Sequence, residues 1–122
     1  MKIRIKGNSL RYRLTRTDVD RLDKESYLEE QTNFSGNRLV YAIQLTKSEV
    51  LISTFIDYKI TLSMPHSMLE ELIHTDKVGF SNRDGDIQIL VEKDFTCLDN
   101  VAEDQSDNYP NPLANKQYEQ GK

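Results

Sequence analysis

Five cations near the start of the chain are spaced so that they can act together on an anion. They are Lys2, Arg4, Lys6, Arg11 and Arg13, each separated from the next by one apolar residue or by a short turn. Such side chains neutralise phosphates and carboxylates, and this binding weakens steeply as salt rises. Tyr12 falls in the opposite phase of the alternation, so stacking on nucleic-acid bases is not indicated.

Two other interpretations of these cations stay open. Charged runs often serve solubility, so the cations can form a solvated face. Alternatively, the acidic residues Glu103, Asp104 and Asp107 near the C-terminus can cover them. The predicted partner is therefore an anionic molecule or the chain's own acidic tail, and nucleic acid is one candidate.

The charge distribution supports an electrostatic role for the N-terminal segment. Residues 1–22 contain seven basic and two acidic residues, a net charge of +5, while the whole chain carries −4. The remaining hundred residues therefore carry −9. Such asymmetry points to an anionic partner or to mutual attraction between two parts of the chain.

The other residues with reactive side chains do not form a recognisable site. His66 and His74 lie eight positions apart, and Cys97 is the one cysteine, which is not a zinc-binding pattern. Cys97 as a nucleophile would need a base and an orienting group, and the sequence indicates neither. We therefore predict no catalytic residue, no metal site and no cofactor.

The cations must be positioned by a β-hairpin. Residues 2–6 and 10–14 alternate between apolar and basic side chains, as half-buried strands do, around the turn Gly7-Asn8-Ser9. A short helix follows, capped by Thr15 or Thr17. Residues 27–34 and 38–45 read as two further strands.

The second part of the chain shows the same succession of elements. Strands are predicted over 50–56 and 59–64, and Pro65 then begins a short helix. A strand at 77–80, a turn over 83–86 and a strand at 87–95 complete this part.

The matching order predicts an internal repeat of residues 2–47 and 50–95. An offset of 50 aligns Leu10 with Ile60, and an offset of 48 aligns Tyr41 with Ile89. The match is one of apolar pattern, so any two β-β-α-β-β segments would align in a similar way.

Composition places these elements in one small domain. The chain has 122 residues, and its polar stretch at 99–122 predicts an extended or disordered tail after a domain at 1–98. No apolar stretch is long enough to cross a bilayer, and a single cysteine fits a reducing compartment. We therefore expect a cytoplasmic protein.

The stretch ITLSMPHSMLEELIHTDKVGFSNRDGDIQILVEKD resembles the AbrB and MazE swapped-hairpin family. The matching residues are Met64-Pro65, Leu72, Asp76-Lys77-Val78, Asp84-Gly85 and Ile87 with Ile89. In the first half, Gly7-Asn8-Ser9 and Arg13-Leu14 resemble the opening of MazE-type antitoxins. The resemblance implies interlocked hairpins that close a barrel, and DNA binding through a basic N-terminal hairpin.

The chain departs from that family at points that matter for DNA binding. Thr15 stands where the family has proline, and the second hairpin carries one cation, Lys59. A two-fold basic surface is therefore not expected. The whole chain, from MKIRIKGNSLRYRLT to EDQSDNYPNP, also resembles a small bacterial family of unknown function, which implies no activity.

These observations lead to an α+β fold prediction: a compact, mostly antiparallel barrel of two repeated halves, with two short helices and a polar tail. The leading functional hypothesis is a non-enzymatic binding or interaction module. The alternative is a nucleic-acid-binding regulator of the AbrB/MazE antitoxin type that uses the basic hairpin. A small enzyme is a third hypothesis, and it would require a concave pocket with perturbed titratable groups.

Overall fold

The computed structural model describes residues 1–96 and 105–112. Within them the chain forms eight strands and two helices in the order β-β-α-β-β, twice over. The elements are β1 (Lys2–Lys6), β2 (Ser9–Leu14), α1 (Arg16–Glu25), β3 (Tyr27–Phe34), β4 (Asn37–Thr46), β5 (Ile52–Ile56), β6 (Lys59–Pro65), α2 (His66–His74), β7 (Gly79–Asp84) and β8 (Ile87–Lys93).

The strands form two four-stranded sheets, and each sheet takes one hairpin from each half of the chain. Sheet A has the order β1-β2-β8-β7, and sheet B has the order β3-β4-β6-β5. The central pairs β2·β8 and β4·β6 are parallel, whereas the four hairpins are antiparallel. The predicted α+β class and the mostly antiparallel, two-half architecture are confirmed.

The predicted closure into a barrel is not found in the described part of the chain. Where β5 approaches β7, side chains rather than a backbone ladder make the hydrogen bonds. Asn82 Nδ2 donates to the carbonyl of Leu51 at 2.8 Å, and Ser53 N donates to Asp84 Oδ2 at 3.1 Å. In the described residues these side-chain bonds, and not a backbone ladder, connect the two sheets at this seam.

The pairing registers of the two sheets are equivalent. Leu10 lies opposite Ile89 in sheet A, and Ile60 lies opposite Tyr41 in sheet B. The offsets of 50 and 48 exchange these two pairs, so the apolar pattern that aligned the halves also describes their pairing. The exact limits of the repeats and of the domain remain predictions.

One hydrophobic core lies between the sheets and the helices. Alternate residues of the central strands face inward, which is why they recur with a period of two. The fully buried side chains with relative exposure under 2% include Tyr12, Leu14, Leu22, Ile43, Leu51, Leu62, Met64, Leu69, Leu72, Ile89 and Val91.

Helix α1 begins at a capping box. Thr15 Oγ1 accepts from Asp18 N at 3.2 Å, and Asp18 Oδ2 accepts from Thr15 N at 2.9 Å. This arrangement satisfies amides that the first helical turn leaves unpaired. Of the two predicted caps, Thr15 is therefore the one used.

The last hairpin differs from the sequence prediction in its boundaries. The predicted strand at 77–80 begins at Gly79 and continues to Asp84, and the two-residue turn is Gly85-Asp86. Gly85 has a φ of 60°, which matches the first central position of a type II′ turn. The longer strand brings Arg83, predicted in a turn, onto sheet A.

Residues 105–112 pack against the domain. Tyr109 bridges to Phe95, and Thr96 N donates to the Tyr109 carbonyl at 2.7 Å. No helix among the described residues is both long and apolar enough to cross a bilayer.

Candidate anion-binding site

The hairpin β1–β2 places the five predicted cations on one side of sheet A. Lys2 lies opposite Arg13, Arg4 lies opposite Arg11, and Lys6 lies opposite Ser9. Directly opposite residues share a face, so the structure brings all five together. We call this set, Lys2, Arg4, Lys6, Arg11 and Arg13, the basic face.

Strand β8 brings a carboxylate to the basic face. Glu92 lies opposite Arg13 in the parallel pair β2·β8. Its Oε1 accepts from Arg11 Nε at 2.6 Å and lies 3.4 Å from Arg13 Nε. The Glu92 side chain is 15% exposed and that of Arg11 is 32% exposed, so the pair is partly shielded from bulk water and from salt.

A second carboxylate compensates the other end of the face. Asp94 is buried, and its Oδ2 lies 3.0 Å from Lys2 Nζ. Three of the five cations, Lys2, Arg11 and Arg13, therefore have acidic neighbours. The spacing of the five cations along the sequence does not reveal this compensation.

Arg4 and Lys6 remain without an ion pair in the described ranges. Both are exposed and lie on the edge strand β1, two strands away from β8. Together with Ser9 and Arg11 they surround a shallow concavity of about 240 Å³. Its lining is therefore three cations and one hydroxyl, a donor set suited to an oxyanion.

The same face continues across β8 and β7. Lys6 and Ser9 share a row with Gln88 and Arg83, so Arg83 adds a cation at the far edge of the sheet.

Sequence reasoning missed Glu92 and Arg83 because the parallel pairing of β2 with β8 joins residues about 80 positions apart. The alternation within β8 does not say which strand lies beside it.

Asp107, one of the three acidic residues predicted to cover the basic face, binds the start of helix α1 instead. The carboxylate of Asp107 accepts from Thr17 N at 3.2 Å and from Thr17 Oγ1 at 2.8 Å, at the start of α1. The hydrogen bonds from Thr17 hold the pKa of Asp107 below its usual value. Glu103 and Asp104 lie outside the described residues.

The two histidines are surface residues of helix α2. His66 and His74 flank Glu70, with nitrogen-to-oxygen distances of 4.0 Å and 3.2 Å. Residues 1–96 and 105–112 contain no cluster of three or more side chains suited to a metal ion. Cys97 lies outside the described residues.

A groove of about 470 Å³ lies between the two helices and the segment 105–112. Its rim mixes the acids Asp20, Asp23 and Asp76 with the cations Arg16 and Lys93. Lys93 Nζ is already bonded to the Thr75 carbonyl at 3.2 Å. The groove therefore offers no surface of a single charge sign.

The equivalent hairpin of sheet B has a different character. On its outward face Lys59 lies opposite two apolar residues, Ile56 on β5 and Val40 on β4. The Lys59 Nζ atom lies 5.0 Å from the centre of the Tyr27 ring. A hydrogen bond with Tyr27 raises the pKa of Lys59. The two halves share a fold, but one of them alone carries the basic face.

Comparisons with known proteins give a family and no activity. No curated protein and no solved structure matched the chain, so the resemblance to AbrB and MazE is not confirmed. One family model matches residues 1–113. The predicted membership of a family of unknown function is confirmed: the chain belongs to the family of unknown function DUF7009.

Proposed function

We propose that this protein is a non-enzymatic binding module that uses its basic face to hold an anionic partner. The observation that carries the proposal is the position of Arg4 and Lys6. They lie side by side on an edge strand, exposed, and without an ion pair in the described part of the chain.

The pairing of like charges supports a role for a bound anion. Arg4 lies directly opposite Arg11, and opposed cations destabilise a strand pair. Glu92 offsets the charge of Arg11, but no described carboxylate does this for Arg4. An oxyanion in the concavity would contact both guanidinium groups and remove the repulsion.

The lining of the concavity favours binding over catalysis. Ser9 supplies its one hydroxyl, and the other lining residues are Arg4, Lys6 and Arg11. A serine nucleophile needs a base within hydrogen-bond reach, and the lining of this concavity contains no histidine and no carboxylate. We infer a cytoplasmic setting from the single cysteine.

A salt series on purified protein tests the proposal. Fluorescence anisotropy would follow the binding of labelled poly-glutamate, single-stranded DNA and duplex DNA from about 25 to 300 mM salt, a range that spans weak to strong screening. We expect binding at low salt with a negative salt slope. A double variant R4E/K6E should lose it.

The matched control is R38E/K47E, which changes the net charge by the same amount at two exposed cations outside the basic face. It should retain binding apart from a small general loss. Absence of binding to every probe at low salt, or equal losses in both variants, would overturn the proposal. Preferential binding of duplex DNA would instead favour the nucleic-acid regulator.

A further inference from the structure

The open edge of sheet A is strand β1. Among residues 1–96 and 105–112 it has one strand neighbour, β2, and stands at the end of the sheet order. An edge of this kind presents unpaired backbone donors and acceptors that another chain can use.

The hydrogen bonds of β2 show which backbone groups of β1 face outward. Gln88 N donates to the carbonyl of Asn8 at 2.8 Å, and Asp94 N donates to that of Leu14 at 2.8 Å. Even-numbered residues of β2 therefore face β8, and odd-numbered ones face β1. In the antiparallel hairpin Ser9 and Arg11 pair with Lys6 and Arg4, so the backbone groups of Ile3 and Ile5 point outward.

The side chains of β1 follow the same alternation. Arg4 and Lys6 lie on the basic face, about 6.6 Å apart along the strand as alternate residues are. Ile5 projects from the opposite face and is 54% exposed, although its register partner Leu10 is buried. The edge therefore offers cations on one face and an uncovered apolar side chain on the other.

The corresponding edge of sheet B is already occupied in part. Side chains of Asn82 and Asp84 bond the backbone of Leu51, just before β5, and of Ser53 on β5. At the start of β1, the terminal amine of Met1 contacts Asp18 at 2.9 Å. No hydrogen bond among the described residues engages the outward backbone groups from Ile3 to Ile5.

The geometry points to an extended acidic segment of a partner protein, added to β1 as a fifth strand of sheet A. This inference rests on the proposed function and specifies its ligand. Acidic side chains at alternate positions would face Arg4 and Lys6, at the cross-strand spacing of about 5 Å. The residues between them, if apolar, would cover Ile5, and the peptide backbone would bond Ile3 and Ile5.

A peptide strand fits this edge better than a nucleic acid does. Tyr12, the aromatic residue of the hairpin, is fully buried and offers no ring to a base. A phosphate backbone would satisfy the cations but leave Ile5 and the outward amides uncovered. Charge complementarity and the open backbone therefore select the same ligand.

The test uses the intact protein and synthetic six-residue peptides in a fluorescence anisotropy titration. One peptide alternates glutamate with valine, and a block peptide of the same composition places the glutamates together. We expect the alternating peptide to bind about 10-fold more tightly or better, since only it places charge and apolar groups in phase. R4E/K6E should lose this binding, and R38E/K47E should retain it.

Backbone methylation separates strand addition from simple charge attraction. Alternate backbone amides of the bound peptide face β1, and the others face away from it. N-methylation of the amides that face β1 should weaken binding about 10-fold or more, whereas N-methylation of the others should have little effect. Ile5→Pro should also weaken binding while β1 stays paired, since its N–H points outward. Circular dichroism and the melting temperature check that this variant folds.

Two results would overturn the inference while leaving the proposed function intact. One is equal affinity for the alternating and block peptides. The other is equal tolerance of methylation in both sets. If no anionic probe binds at low salt, the proposed function itself fails, and the inference fails with it.

Discussion

Arg11 donates a hydrogen bond from Nε to Glu92 Oε1 at 2.6 Å, across the parallel pair that joins the two halves of the chain in sheet A. The same carboxylate lies 3.4 Å from Arg13 Nε. One acid on β8 therefore compensates two cations of the basic face. Within the basic face, the cations without an ion pair in the described residues are then Arg4 and Lys6 on the edge strand β1.

Removing this carboxylate should strengthen anion binding. Glu92→Gln frees Arg11 and Arg13, so we expect a several-fold gain in affinity for poly-glutamate at low salt and a steeper salt dependence. Because the pair is half-buried, we also expect a loss of about 1 kcal/mol in the free energy of unfolding. Anisotropy titrations across a salt series and urea unfolding measure the two effects.

Glu71→Gln is the matched control, because it removes the same charge from an exposed position on α2. Equal gains in affinity for both variants would mean that net charge, rather than the release of Arg11 and Arg13, controls binding.

Gly79 should be intolerant of a side chain. It lies opposite Glu92 in the β7·β8 pair, and a methyl group there would lie against the Val91 carbonyl and 2.8 Å from Glu92 Cβ. The backbone of β8 cannot move away easily, so Gly79→Ala should cost about 1–3 kcal/mol in the free energy of unfolding.

Urea unfolding measures this cost. The control is Ser81→Ala, at an exposed position of the same strand, which should change stability by less than about 0.5 kcal/mol. Similar values for the two variants would contradict the close approach.

The local part of this architecture was predictable from the sequence. Alternation fixed the hairpin at Lys2–Leu14 and the phase of Arg4 and Lys6, because a strand's period of two is a property of the backbone. The apolar pattern also aligned the two halves in a way that their registers reproduce. Such signals are local, and the sequence carries them within a few residues.

The non-local part was not predictable. Glu92 neutralises Arg11 because β2 pairs with β8, and no short stretch of sequence specifies that pairing. The seam between the two sheets is also non-local, because the side chains of Asn82 and Asp84 bond the backbone of residues 51 and 53. Their role follows from tertiary position and not from spacing along the chain.

Tyr12 should make stability fall at alkaline pH. Burial raises the pKa of Tyr12 from 10.0 to about 12, and the buried hydroxyl has no hydrogen-bond partner among the described residues. A raised folded-state pKa means that the contribution is complete below about pH 10, where the unfolded state also stays neutral, and is lost as pH rises toward 12. Between pH 8 and pH 11 the free energy of unfolding of the native protein should fall by about 1.4 kcal/mol more than that of Tyr12→Phe.

Urea unfolding at pH 8, 10 and 11 measures this difference. Tyr58→Phe serves as the control, because Tyr58 is 62% exposed at the β5–β6 turn. If Tyr12→Phe and the native protein show parallel pH profiles, the ionisation of Tyr12 does not contribute.

Asp107 should link the segment 105–112 to the start of helix α1. Its carboxylate accepts from Thr17 N and Oγ1, and its carbonyl accepts from Arg16 N at 3.1 Å. Asp107→Ala removes the carboxylate but keeps the carbonyl, so we expect a loss of up to about 1 kcal/mol in the free energy of unfolding, as for a helix cap.

The hydrogen bonds from Thr17 lower the pKa of Asp107 from 3.8. The stabilisation is therefore present above pH 3.8 and lost as pH falls through the lower folded-state value. Thermal unfolding from pH 7 to pH 2 should show the native protein and Asp107→Ala converging at the acidic end, whereas Asp86→Ala, at an exposed turn, should follow the native curve throughout. A constant difference across that range would mean that the carboxylate charge has no part in holding the segment on the helix.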